Sequence, residues 1–371
     1  MSTQEPTDRP AAPQPGMLRV TRTELVWPGK YNEDGTRKEV PRVSLPFQVI
    51  ETINESRATR EVRKVPQTLS LFDVYEGKEG DTFEEGWNNK LIWGDNLLVM
   101  GSLLEKFAGK IDLIYIDPPF ATGVDFSFAT LIGEDDLEFT KEQSIIEERA
   151  YRDTWGGGIS SYVDMMAKRL ALIQELLTPH GSLYLHLDWR LVHEVKAVTD
   201  DIFGRDAFLN DIIWKRAPIL GRKATSGQFG RVTDTILYYC KSGVPKFNRP
   251  YMERPINEKE WRWDSKEGKY FKTSPRGDYT DASVAELERQ NRIHRTSTGR
   301  IRIKYFAEKT AGGTWTERLP ADCLWLDIPD MMHISETEKT GYATQKPEAL
   351  LKRMVEASSD PGDLVADFFC G

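Results

Sequence analysis

Leu113-Ile114-Tyr115-Ile116-Asp117-Pro118-Pro119-Phe120 is an apolar run that halts at a carboxylate, two prolines and an aromatic ring. Apolar residues at this density read as a buried parallel strand, which places Asp117 at its carboxyl end. Open α/β sheets bind their ligands beyond that edge. Each proline removes a backbone donor and fixes φ near about −65°, so the chain continues neither as strand nor as helix. What remains is a stiff rim offering one acid and one flat ring. Taken alone, the same residues also describe a strand closed by an ordinary proline turn.

Upstream, Asn89-Lys90-Leu91-Ile92-Trp93-Gly94-Asp95-Asn96 reads as a short strand running into two residues suited to capping a helix. Leu97, Met100, Leu104 and Phe107 then recur at helical spacing, and Gly109-Lys110 closes the helix. Strand, helix and strand within about thirty residues predict a parallel, right-handed βαβ unit. Downstream, residues 121–155 lack periodicity and read as a loop over the site, hinged at Gly156-Gly157-Gly158. Tyr162, Met165, Met166, Leu170, Ile173 and Leu177 form the core stripe of a helix capped by Ser160 or Ser161, which Pro179-His180-Gly181 ends. Ser182-Leu183-Tyr184-Leu185-His186-Leu187-Asp188 predicts another strand, and Leu191, Val195, Val198 and Ile202 another helix. Residues 212–216 and 235–239 read as strands around a loop rich in Gly, Arg and Lys. Residues 244–320 read as an inserted domain. Thr344-Gln345-Lys346-Pro347-Glu348 opens a helix at Pro347, with Leu350, Leu351, Met354 and Val355 on its buried side. Leu364-Val365-Ala366-Asp367-Phe368-Phe369-Cys370-Gly371 is a strand entering a glycine turn, and a strand with no helix after it predicts a fragment.

The chain has 371 residues, 39% hydrophobic and 29% charged, the composition of a globular protein with one large domain or two ordinary ones. No apolar run reaches the roughly 18 residues a membrane span needs. Residues 1–16 are neither signal peptide nor structured element. Cys240, Cys323 and Cys370 are too scattered for disulfides or a metal, which predicts a cytoplasmic protein. The net charge of −8 argues against a polyanionic partner, but its distribution does not. Residues 212–310 carry 22 Lys and Arg against 11 Asp and Glu. Such a basic block is the footprint of nucleic acid, or else a solvated basic face.

In order, G-D-N-L (94–97), D-P-P-F (117–120), T-Q-K-P-E (344–348) and D-F-F-C-G (367–371) form a set. It resembles the amino-methylating DNA methyltransferases of the β arrangement, most of all the modification subunit of type III restriction–modification systems. The resemblance runs from about residue 89 to 371 and includes Tyr151-Arg152-Asp153-Thr154-Trp155. It implies an α/β, Rossmann-like methyltransferase sheet with circularly permuted motif order, and S-adenosyl-L-methionine as cofactor. The corresponding division is a disordered tail (1–20), an N-terminal extension (21–88) and a catalytic half (89–211). A basic DNA target-recognition insert (212–320) and the incomplete start of a cofactor-binding half (321–371) follow.

The implied reaction is methylation of the N6 amino group of adenine in DNA. N4-cytosine methylation, RNA methylation, and a DNA-binding specificity module inactive alone are the other readings. An exocyclic amine has its lone pair delocalised into the ring. Asp117 and the Pro118 carbonyl would accept its hydrogens and aim the lone pair at the methyl group. Pro119 would stiffen that rim. Phe120, where the family more often has Tyr, would stack on the extruded base, worth about 1–3 kcal/mol. For the cofactor the resemblance carries over Asp95 to the adenine edge, Thr344, Gln345 and Lys346 to the methionine end, and Asp367, Phe369 and Gly371 to the glycine loop. Lys346 also reads as a surface lysine at a helix start. Lys215, Arg216, Arg222, Lys223 and Arg231 would contact DNA, and the partners implied are DNA, a restriction subunit and a second copy of the chain.

Overall fold

Strand β1 (Ile111–Ile116) is the apolar run itself, and Leu113, Ile114 and Ile116 are completely buried. The computed structural model describes residues 25–45, 89–119, 128–132, 137–141, 158–217, 227–310, 312–342 and 344–370. The N-terminal tail, most of the 21–88 extension, Tyr151-Arg152-Asp153-Thr154-Trp155, Phe120, Arg222, Lys223 and Gly371 lie outside the described residues. So does the 121–155 loop, except for an antiparallel pair, Phe128–Ile132 with Leu137–Lys141.

The chain divides into a unit of Met1–Asn248 with Ile328–Gly371, and a smaller one of Arg249–Asp327. In the larger unit β1 is joined by β2 (Leu177–Leu187), β3 (Phe208–Lys215), β4 (Thr233–Cys240) and β5 (Val365–Asp367), in the order β3-β4-β2-β1-β5. Strands β2 and β5 run parallel to β1, Tyr115 standing opposite Tyr184 on one side and Asp367 on the other. Strand β4 runs antiparallel to β2, and β3 antiparallel to β4. The carboxyl ends of β1, β2, β3 and β5 therefore share one edge with the start of β4.

Four helices of the larger unit come from the expected periodicities. Helix α1 (Asn96–Phe107) starts at Asp95, whose Oδ1 accepts from the Leu97 amide at 2.8 Å. Helix α2 (Ile159–Leu176) buries Tyr162, Met166, Leu170 and Ile173, each apolar side chain contributing about 1.5–3 kcal/mol. Its cap residue is Gly158, and Ser161 donates back to the Gly158 carbonyl. Helix α3 is Val192–Phe203. Helix α4 (Glu348–Ser358) begins directly after Pro347 and buries Leu350 and Met354, while Val355 faces solvent and Ala357 is covered instead. The turn predicted at Pro179-His180-Gly181 lies inside β2, as an irregularity in its pairing with β1. A Cβ on Gly181 would stand 2.9 Å from the Ile111 carbonyl oxygen, so only glycine lets the strands approach there.

Residues 89–93 do not form the predicted strand: Leu91 and Trp93 are exposed. Strand β1 already has a hydrogen-bonded neighbour on each side, which leaves the upstream segment no place beside it. The βαβ expectation reduces to α1 followed by β1. The smaller unit begins at 249, not at 212, because β3 and β4 are bonded into the central sheet.

The smaller unit is more regular than its sequence suggests. One antiparallel sheet joins Arg262–Asp264, Lys269–Pro275, Ile301–Phe306 and Ile293–Arg295, and another joins Tyr251–Pro255, Trp315–Pro320 and Glu308–Lys309. Trp263, Tyr270 and Trp315 pack edge to face. The Lys304 ammonium sits 2.7 Å from the Asp264 carboxylate, both side chains nearly buried. That contact, with two backbone amides, holds Asp264 below the usual carboxylate range. Among the described residues no helix is long and apolar enough to cross a membrane.

Candidate active site at the carboxyl edge of the sheet

Asp117 leaves β1 at this edge, followed by a buried Pro118 and a half-buried Pro119. Its Oδ2 forms an ion pair with the Lys346 ammonium, brought from 229 residues away. Lys346 also donates to the Thr344 carbonyl at 3.3 Å. Asp367 ends the neighbouring strand β5 and accepts from the Phe369 amide at 2.8 Å. Although the residue keeps solvent-accessible surface, its carboxyl is pushed up to about 6, chiefly by desolvation and then by the Asp117 charge. The Phe369 amide and Lys346 oppose that rise. One cation thus serves two carboxylates that disfavour each other's charge.

The start of α1 is tied to the turn after β5. Asn96 Nδ2 donates to the Phe368 carbonyl at 2.9 Å, and Arg169 Nε of α2 donates to Asn96 Oδ1 at 2.5 Å. Arg169 lies 3.7 Å from Asp95 Oδ2. Burial pulls that guanidinium below its usual range, against the Asp95 charge. Asp95 and Asn96, Asp117, and Asp367 to Phe369, from three of the motifs in the sequence, therefore meet with the Lys346 loop at one edge.

Gln345 is engaged within its own loop. Its Oε1 accepts from both the amide and hydroxyl of Thr340, and its Nε2 donates to the Glu338 carbonyl at 2.8 Å. It shapes the loop that presents Lys346. The Thr344 side chain is exposed, and Phe369 is half-buried against the hydrophobic core.

Among the basic residues, Lys215 is exposed at the end of β3, and Arg216 Nε lies 2.9 Å from Asp234 Oδ1. Arg231 stacks on Trp189. Asp234 also faces His186 Nε2 at 3.3 Å, and His186 Nδ1 faces the Tyr115 hydroxyl at 3.0 Å, both contacts buried. Burial first, then the Asp117, Asp367 and Asp234 charges, push the Tyr115 phenol far above its usual range. It keeps its proton, and the hydroxyl, the imidazole and the Asp234 carboxylate form one buried chain of hydrogen bonds. From sequence, His186 ends a strand near the site and suits a structural role at least as well as a chemical one. The Tyr115 and His186 positions on adjacent strands become neighbours only once register is known.

A family model described as "DNA methylase", for the N6 and N4 enzymes, matches residues 111–371. The chain is similar to the type II methyltransferase M.EcaI of Enterobacter cloacae, at 30% identity over 76% of this chain and 62% of that protein. It is also similar to the StyLTI Mod subunit, a type III restriction-modification enzyme of Salmonella typhimurium, at 25% identity over 87% of this chain and 54% of that one. Thus it spans between half and two thirds of the length of these relatives. A solved structure of M1.HpyAVI with SAM aligns with a TM-score of 0.35 and 14% identity, over 74% of this chain and 79% of the other. The match over 111–371 contains Asp117, Lys346 and Asp367, whose meeting at one edge of a Rossmann-like sheet is the geometry just described. This chain belongs to the N6/N4 DNA methylase family.

Proposed function

We propose that the protein methylates the N6 amino group of adenine in duplex DNA at a defined sequence, as the modification component of a restriction–modification system. The observation that supports this best is the Asp117 carboxylate, held by Lys346 at the carboxyl end of β1 and followed by two prolines. Because Oδ2 carries the ion pair, Oδ1 is the atom for an amine N–H. The Pro118 carbonyl would take the second hydrogen. Both contacts strengthen as the nitrogen becomes tetrahedral, so they favour the transition state over the flat ground state.

S-adenosyl-L-methionine, the family's methyl donor, supplies a methyl group on a cationic sulfur. The residues present fit that group. Asp117 and Asp367 disfavour each other's charge, and Lys346 suits a carboxylate. Asp95, Lys346 and the turn after Asp367 would hold it, with Asn96 setting the turn and Gln345 the Lys346 loop. The amine nitrogen, held by Asp117 Oδ1 and the Pro118 carbonyl, would give its lone pair to the transferred methyl group and then lose one proton to solvent, while the donor would depart as a neutral thioether. Phe120 would stack on the base. The relatives named as restriction-modification Mod subunits suggest a restriction subunit as partner, and a second copy of the chain is the other partner expected.

Expression of the full polypeptide in a methylation-deficient bacterial host tests the reading. Single-molecule sequencing of host DNA should show N6-methyladenine within one recurrent sequence. N4-methylcytosine there would replace adenine with cytosine, and absence of both marks would count against the function.

A further inference from the structure

An aromatic and basic cluster at the same edge has no part in the methyl transfer just described. Trp189 follows β2 by two residues and stays 41% exposed. The Arg231 guanidinium lies 3.4 Å from its ring centroid and the Arg190 guanidinium 5.1 Å. Arg190 is itself ion-paired with the buried Asp188. Arg231 also reaches Gln228 Oε1 at 3.5 Å, and between those two residues Phe229 is 100% exposed. Strand register places the cluster. Ile116 stands opposite Leu185, and Leu187 opposite Thr235, so the chain leaving β2 and the chain entering β4 both stand where Asp117 leaves β1.

A phenyl ring fully in water adds nothing to folding stability and has apolar surface to gain from a partner. Its neighbours identify that partner. Arg231, Arg190 and the exposed Lys215 are cations on the same edge, and they suit a polyanion whose interior is apolar and stacked. Duplex DNA has that chemistry. A base that reaches Asp117 must first leave its stack, and an apolar side chain occupying the vacated space offsets part of that loss.

We propose that Phe229 is a wedge that enters the base stack beside the target, while the Arg231–Trp189–Arg190 stack braces the loop and meets the flanking phosphates. This rests on the DNA methyltransferase reading above. Recovered base–aromatic stacking changes the extruded fraction by about tenfold or more. Phe229 would then set how often the base is presented, not how fast it reacts once presented.

The test uses the full polypeptide and a duplex carrying the sequence it methylates in its expression host. A second duplex has an abasic site opposite the target, so no pairing partner holds the base in. Phe229→Ala should lower kcat on the matched duplex about tenfold or more, with a much smaller change in KM for DNA. The 2-aminopurine signal at the target position should fall with it. On the abasic duplex the variant should approach the unmodified rate, and Phe229→Trp should retain activity on both. Unchanged turnover of the matched duplex by Phe229→Ala would overturn the proposal, as would an equal defect on the two duplexes. Host DNA with no methyl mark would instead overturn the methyltransferase reading, and the wedge with it, before any variant is compared.

Discussion

Asp117 and Lys346 show how much a single contact can carry. A carboxylate on a proline-stiffened rim keeps its direction only if something holds it, and the ammonium does so from a loop that Gln345 shapes. Asp117→Ala should reduce methyl transfer by about a hundredfold or more and leave duplex affinity nearly unchanged. Single-turnover rates and gel-shift titrations on the same preparations check this, and parallel loss of both would remove the role given to Asp117. Asp367 makes a second, independent case. Its carboxyl titrates near 6 in the folded chain and in the ordinary carboxylate range when unfolded, so folding favours its neutral form. Its contribution is therefore fully present below the unfolded value and is lost as pH rises through about 6. Asp367→Asn keeps the oxygen that accepts from the Phe369 amide. The variant should melt higher than the unmodified protein above pH 6, with the difference vanishing toward about pH 4. Thermal melts across that range, without cofactor, measure it.

At the scale of elements, the sequence disclosed what depends on local pattern and hid what depends on neighbours. The apolar run of β1, the stripe of α2 and Pro347 before α4 each carry their own periodicity or stop signal, and those elements lie close to where the pattern puts them. The segment 89–93 looks like a strand for the same local reasons, but both flanks of β1 are taken by β2 and β5. Short strands in the smaller unit leave little trace in the sequence because many of their residues are exposed, which blurs the alternation that marks a strand. Asp117 and Asp367 could be read as site residues from motif order alone. Arg169 could not, since it is one cation on an amphipathic helix, and its work is done across to α1. Asn96 joins that guanidinium to the Phe368 carbonyl and so fastens α1 to the turn after β5. Asn96→Ala would leave the Nε of a largely buried guanidinium without its acceptor, at a cost of about 1–3 kcal/mol. Urea unfolding should show the midpoint falling with the slope unchanged. No shift in the midpoint would mean that Arg169 finds another acceptor.

Across the whole molecule, charge and connectivity divide the work. The chain is acidic overall, yet residues 212–310 carry twice as many cations as anions. That stretch includes most of the compact unit Arg249–Asp327. The carboxylates that suit a sulfonium and the cations that suit phosphates are thus segregated along the sequence. The two chain ends between which the smaller unit is inserted, Asn248 and Ile328, are bonded within the larger unit itself. The Asn248 amide donates to the Ala357 carbonyl at 2.7 Å, and Trp214 Nε1 donates to the Ile328 carbonyl at 3.3 Å. A segment with its own paired strands, inserted between ends that the larger unit holds, can be replaced while Asp117, Lys346 and Asp367 stay where they are. Exchange of residues 249–327 for the matching segment of a family member with a different recognition sequence should therefore change the sequence that is methylated. The atom methylated should stay the same, because the groups around the amine are untouched. Single-molecule sequencing of host DNA reads both at once. A chimaera that folds and keeps the parent's recognition sequence would place base readout in the larger unit, at the edge that holds Lys215, Trp189 and Arg231.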